Sequence, residues 1–226
     1  MADGSSADPA GDDSVPAEPG SGGYSRSAYV PSLPPAYCSF DVEMDGNNPM
    51  LNSMRSIGIA LFTEKDGKID SLYMNIMPRP ETKPNPKTMR DFWERHPQQW
   101  KCVNENPLRP EAAMANLASW LRYHEKSYTL KWVARPACVD WMWLKCYYET
   151  YGPAVKPDIG YYCHCLSTML RSYFLTYPVR DKRAVMAELS NNLPYNHNAL
   201  DDAVCQGTIY MNLRKIYNQT KHQFYD

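Results

Sequence analysis

The 226-residue chain has no run of about 20 apolar residues, so no membrane-crossing helix is expected. Its first residues, MADGSSADPAGDD, have neither the basic start nor the apolar stretch of a secretion signal. The expectation is an intracellular protein, with cytoplasm and nucleus not distinguished. The sequence also lacks a disulfide framework. Its seven cysteines are odd in number and irregular in spacing, which reads as reduced thiols that mostly fill the core. YCHCL would place Cys163 and Cys165 on one face of a strand, but no second ligand pair stands at zinc-finger spacing. Internal repeats are absent. So is a strong charge of one sign, because the formal net charge is −1.

That small number hides an asymmetry. Residues 1–36 hold five acids and one base, which leaves 23 basic against 20 acidic residues in the remainder, a net of +3. Acids that carry metal ions would make the surface offered to a ligand more positive still, a mild bias toward a polyanionic partner. The same 36 residues are rich in Gly, Ser, Pro, Ala and Asp. They carry too little apolar area to offset the entropy of ordering, and read as a disordered acidic tail. YVPSLPPAY could serve there as a linker or a partner motif.

Folded sequence is expected over residues 37–226. AYCSFDVEM, RSIGIALFT and IDSLYMNIM read as a three-strand meander with a turn at DGK. KTMRDFWERHPQQW has Met89, Phe92 and Trp93 at helical spacing and a break at Pro97. RPEAAMANLASWLRYHEK is a clearer helix, with Met114, Leu117, Ala118 and Leu121 on one face. TLKWVA reads as a strand, CVDWMWLKCYYETYG as a helix and IGYYCHC as a strand. The helices LSTMLRSYFLTY, DKRAVMAEL and NALDDAVCQGTIYMNLRKIY follow. The sum is an α/β domain, a mixed sheet covered by helices.

Three stretches carry the chemistry. In FDVEMDGNNP, Asp41 and Glu43 are spaced i, i+2 on a strand and share a face. They end an apolar strand at a sheet's carboxyl edge, where ligands bind in α/β sheets. Side by side they repel unless a divalent cation offsets them, and hard oxygen ligands suit Mg²⁺ or Mn²⁺. Turn chemistry is the plainer reading of Asp45. In WVARPACVDWMWL, Asp140 lies in an apolar segment and needs a partner, or else caps the following helix. In HNALDDAVCQG, His197 precedes the last helix and Asp202 lies one turn in. Ala199 and Ala203 let that helix pack close to the sheet. Adjacent Asp201 and Asp202 point in different directions, so one of them is expected to be a ligand.

Taken together and in this order, D-x-E, a mid-chain Asp and H-x-A-x-x-D resemble the DEDDh 3′–5′ exonucleases of the ribonuclease H-like superfamily. The resemblance covers residues 37–217 or so. SIGIALF and MRDFWERHPQQW are similar to the branch containing ribonuclease AS and a phage oligonucleotide exonuclease. The resemblance implies a ribonuclease H-like mixed β-sheet flanked by α-helices. It implies two divalent cations, with Asp41, Glu43 and Asp202 on one, and Asp41 bridging to a second that Asp140 reaches. His197 would take a proton from the attacking water. Met44, Asp45 and Gly46 would contact the terminal nucleotide. Trp93, Trp100, Trp141 and Tyr195 are candidates for base stacking, Trp93 foremost. Arg135 is a candidate phosphate contact, and Lys145 a weaker one. Pairing of two copies is expected through the apolar helices near Trp93 and Trp120.

The leading expectation is an exonuclease acting at the 3′ end of single-stranded RNA or DNA, RNA slightly favoured, and releasing nucleoside 5′-monophosphates. The alternatives are a DNA-directed exonuclease, a catalytically silent nucleic-acid-binding module on the same fold, and an adaptor whose acids are only caps and turns.

Overall fold

The computed structural model describes residues 33–178 and 181–221. The expected disordered tail lies outside the described residues except at its end, where Pro35 and Ala36 already belong to the first strand. The strands are β1 (Pro35–Met44), β2 (Met54–Thr63), β3 (Gly67–Asn75), β4 (Thr129–Ala134) and β5 (Cys163–Cys165). They form one sheet in the order β3-β2-β1-β4-β5. β2 runs antiparallel to β1 and β3, whereas β4 runs parallel to β1 and β5. The central strand is therefore the one that carries Asp41 and Glu43.

Helices cover both faces of this sheet. In chain order they are α1 (Pro86–Asp91), α2 (Pro97–Val103), α3 (Pro110–His124), α4 (Ala137–Tyr151), α5 (Leu166–Thr176), α6 (Lys182–Leu189) and α7 (Ala199–Lys221). A 3₁₀ turn, Trp93–Arg95, separates α1 from α2. Alternation along β1 divides the core. Cys38, Phe40 and Val42 face α3 and α4. Tyr37 packs with Ala203, Ile209, Tyr210 and Leu213 of α7. By the same period of two, Ser39, Asp41 and Glu43 lie on the α7 face. The α3 stripe is as expected: Met114, Leu117, Ala118 and Leu121 are all buried. Among the described residues no helix is long and apolar enough to cross a membrane.

Two elements differ from the sequence reading. The helical segment over residues 87–100, expected to break at Pro97, does break there, at His96, and breaks a first time at Phe92. His96 precedes Pro97, and a residue before proline is pushed out of the helical region. The strand expected over residues 159–165 is only Cys163–Cys165. Gly160 has a φ of +70°, and its N–H donates to Asp158 Oδ1 at 2.8 Å. That local turn holds the backbone away from β4, and Tyr161 and Tyr162 are left exposed.

Candidate active site

β1 delivers Asp41 and Glu43 to the C-terminal end of the sheet, both buried. Asp41 stands opposite Gly58 of β2 and Glu43 opposite Ser56, and the register slips between Glu43 and Met44. Asp41 Oδ1 accepts from Gln206 Nε2 at 2.8 Å. Burial pushes both carboxyls well above the usual range. The charges of Asp140 and Asp202 add to this in each case, and at Asp41 the Gln206 bond opposes it.

Asp140 comes from the opposite face of the sheet. α4 begins three residues after β4 ends, so its first turn reaches over the end of β1. Asp140 does not cap this helix: the N-cap is Pro136, and no side chain caps it. Its Oδ2 is buried without a hydrogen-bond partner. Burial raises its pKa to about 7.

Asp202 sits in the first turn of α7, 1% exposed. Its two oxygens accept from the backbone N–H groups of Asn196 (2.8 Å) and His197 (3.2 Å). Burial pushes its pKa up to about 6. Asp201 points outward and takes the Asn196 side chain, so the adjacent acids divide as expected. Small residues make this placement possible. A Cβ on Gly58 would lie 2.3 Å from the backbone of Ala199 and Leu200, so only glycine lets α7 start this close to β2.

His197 has a φ of +62°, a left-handed backbone, and a ring nitrogen lies within 4.8 Å of an Asp202 oxygen. Its ring lies 4.4 Å from that of His96 and 4.9 Å from that of Phe92. Gln99 Nε2 donates to Asn196 O at 3.1 Å and ties the same loop to α2. Burial, and then the charge of His96, lowers the His197 pKa below the usual histidine value. Ligand atoms of Glu43, His197 and Asp202 all lie within 4.8 Å of one another. The charge of Asp140 acts on Glu43, and Asp41 feels the charges of Asp140, Glu43 and Asp202. The trio thus holds two of the three carboxyls that the resemblance assigns to one ion, together with the imidazole; the third, Asp41, has its Oδ1 held by Gln206.

The expected substrate contacts divide. Met44 and Gly46 line an open cleft of about 430 Å³ beside Glu43, together with Lys87, Thr88 and Phe92. Arg135 is half-buried at the site's rim, its guanidinium carbon 5.9 Å from the Tyr195 ring centre. Trp93 is a correction. It is 1% exposed, and its indole donates to Met44 O at 3.0 Å, so it props the end of β1 from within the core and offers no open face. Asp45 is also turned away. Its Oδ1 accepts from Ser53 N at 2.6 Å and its Oδ2 faces Arg55 at 3.5 Å. Lys145 pairs with Glu149. Trp120 is half-buried and donates to Asp70.

The sequence reading missed Gln206, Phe92, His96 and Gln99. Gln206 alone left a signal: it lies i, i+4 from Asp202, on the face of α7 that the alanines mark as buried.

No curated protein sequence matches the chain. Among solved structures it is similar to S. pombe Pop2p in its Mg²⁺- and Mn²⁺-bound form, at 14% identity and a TM-score of 0.51, with 82% of this chain and 84% of that one covered. That likeness concerns the fold, which is ribonuclease H-like as expected. The family described as the 3′–5′ exoribonuclease Rv2179c-like domain matches residues 36–213, from the start of β1 into the last turns of α7. All five acid and histidine positions lie inside that span, and the chain belongs to this 3′–5′ exoribonuclease family.

Proposed function

We propose that the chain is a divalent-cation-dependent exonuclease that shortens single-stranded RNA from its 3′ end and releases nucleoside 5′-monophosphates. One observation carries this. Four buried carboxyls, Asp41, Glu43, Asp140 and Asp202, converge at one strand end, and among the described residues no lysine or arginine is ion-paired with any of them. Charge gathered in this way is strongly unfavourable unless a cation joins it. The donors fit Mg²⁺ or Mn²⁺: they are hard carboxylate oxygens, one of them buried without a partner, and those of Glu43 and Asp202 approach within 4.8 Å of each other, close enough to share an ion.

Glu43, Asp202 and Asp41 would hold one ion, and Asp41 with Asp140 a second. Bound cations supply positive charge at the scissile phosphate. His197 accepts the proton of the attacking water. Its lowered pKa keeps the imidazole neutral near pH 7 and free to do so. Backbone and side chains of Met44, Gly46 and Phe92 bound the space beside Glu43 where a terminal nucleotide fits. Placement in the ribonuclease AS branch, and pairing of two copies, belong to the same reading. Light scattering checks the second.

The deciding test uses 5′-labelled single-stranded RNA and DNA of one sequence, with Mg²⁺, Mn²⁺ or EDTA. A ladder shortening from the 3′ end, faster on RNA and abolished by EDTA and by Asp41→Ala, is the expected result. His197→Ala slows it by about 10²- to 10⁴-fold. Faster loss of DNA reassigns the substrate. Binding without cleavage in every lane makes the chain a silent module.

A further inference from the structure

Gln206 is 0% exposed. It sits on the face of α7 that packs against the sheet, between Ala203 and Tyr210. A fully buried amide in such company needs its hydrogen bonds satisfied. Both Nε2 hydrogens are used: one goes to Asp41 Oδ1 at 2.8 Å, the other to the Tyr195 hydroxyl oxygen at 3.2 Å. Its Oε1 is buried and has no partner. A residue chosen for packing alone would not leave an acceptor stranded in the core, because an apolar side chain of the same shape avoids that cost.

Resting on the exonuclease reading, we propose that Gln206 is a positioning residue for the metal-bridging carboxylate. Its amide fixes Asp41 through Oδ1 and leaves Oδ2 for the ligand side. Asp41 accepts no other side-chain bond among those described. Without the amide, its carboxyl can rotate about the bond to Cβ. Asp202 lies one turn earlier on the same helix, so α7 supplies one acid directly and steers another at β1. Tyr195 extends the chain of contacts outward, since its ring meets the Arg135 guanidinium at the rim. Tyr195 thereby limits where the amide can turn. Hydrogen-bonded partners behind a ligating side chain commonly set metal affinity.

The test compares Gln206→Met and Gln206→Leu with wild type in the full chain. Mn²⁺ binding to the metal-free protein is measured by calorimetry, and RNA cleavage is measured as a function of Mn²⁺ concentration. Folding is followed by circular dichroism. The expected result is a folded variant whose Mn²⁺ dissociation constant rises about 10- to 100-fold and whose cleavage rate recovers as Mn²⁺ is raised. A folded variant with wild-type Mn²⁺ affinity overturns the proposal, as does a rate loss that no Mn²⁺ concentration restores. If neither variant folds, Gln206 is a structural residue and the proposal fails. Wild type that binds no Mn²⁺ removes the exonuclease reading itself, a result distinct from the others.

Discussion

Asp41 and Asp45 are four residues apart at the end of one strand. Both are buried, yet the protein treats their charges in opposite ways. Asp45 is answered from within the chain. The Ser53 N–H and the Arg55 guanidinium meet its two oxygens, and Arg55 in turn bonds Asn104 and lies 4.9 Å from the Trp100 ring centre. Among the described residues, Asp41 has three carboxyls for neighbours and a neutral amide for its one side-chain bond. One acid closes a turn. The other belongs to a site whose charge balance is completed from outside. A buried carboxylate is informative chiefly through what faces it.

The largest expected effect is on the unanswered acid. Asp41→Asn lowers the RNA cleavage rate by about 1,000-fold or more, since several kcal/mol of transition-state stabilisation are lost at about 1.4 kcal/mol per tenfold. Thermal melting of the metal-free protein shows no loss of stability, because the substitution removes a buried charge that lacked a cation. Asp45→Ala has the reverse signature. It strips Arg55 of its partner and destabilises the fold by about 3 kcal/mol in urea unfolding, whether or not metal is present.

A smaller effect follows from pH. The folded-state pKa values of Asp140 and Asp202 are raised to about 7 and about 6 from 3.8. Below about pH 4 both acids are protonated in the folded and the unfolded chain. Between there and pH 7 the unfolded chain gives up protons that the folded chain retains, so stability falls as pH rises. In EDTA, the melting temperature therefore declines from pH 5 to pH 7.5. Mn²⁺ flattens that slope, and parallel slopes with and without metal would contradict the assignment. Gly58→Ala is expected to have the smallest effect on stability, about 1 to 2 kcal/mol, because the added methyl meets the backbone at the start of α7. Its larger consequence is a loss of cleavage as Asp202 moves away from Glu43.

Much of this was legible in the sequence. The acids of β1 share a face by simple alternation, and the H-x-A-x-x-D spacing places Asp202 one turn into a helix whose alanines mark the packed side. Gly58 was visible in SIGIALF, though nothing local says what approaches it. Trp93 was misread because an aromatic near a site looks the same in sequence whether it faces solvent or supports the strand from beneath. Only its bond to Met44 O decides that. The break at His96 was half visible, since Pro97 marks a boundary but not which residues it frees to meet His197. Phe92, His96 and Gln99 lie about 100 residues from that histidine in sequence. No periodicity can report a contact of that range.

Phe92 stands between the cleft and the histidine. It lines the cleft with Met44 and Gly46, and its ring also makes an edge-on contact with His197. The acids are carried on a strand and two helices, whereas the histidine is carried on a connecting loop that leans on this ring. Any occupant of the cleft meets the same side chain that the imidazole rests against. Filling the cleft and placing the His197 ring thus depend on one side chain, which on the proposed reading ties the shape of the incoming end to the placement of the base.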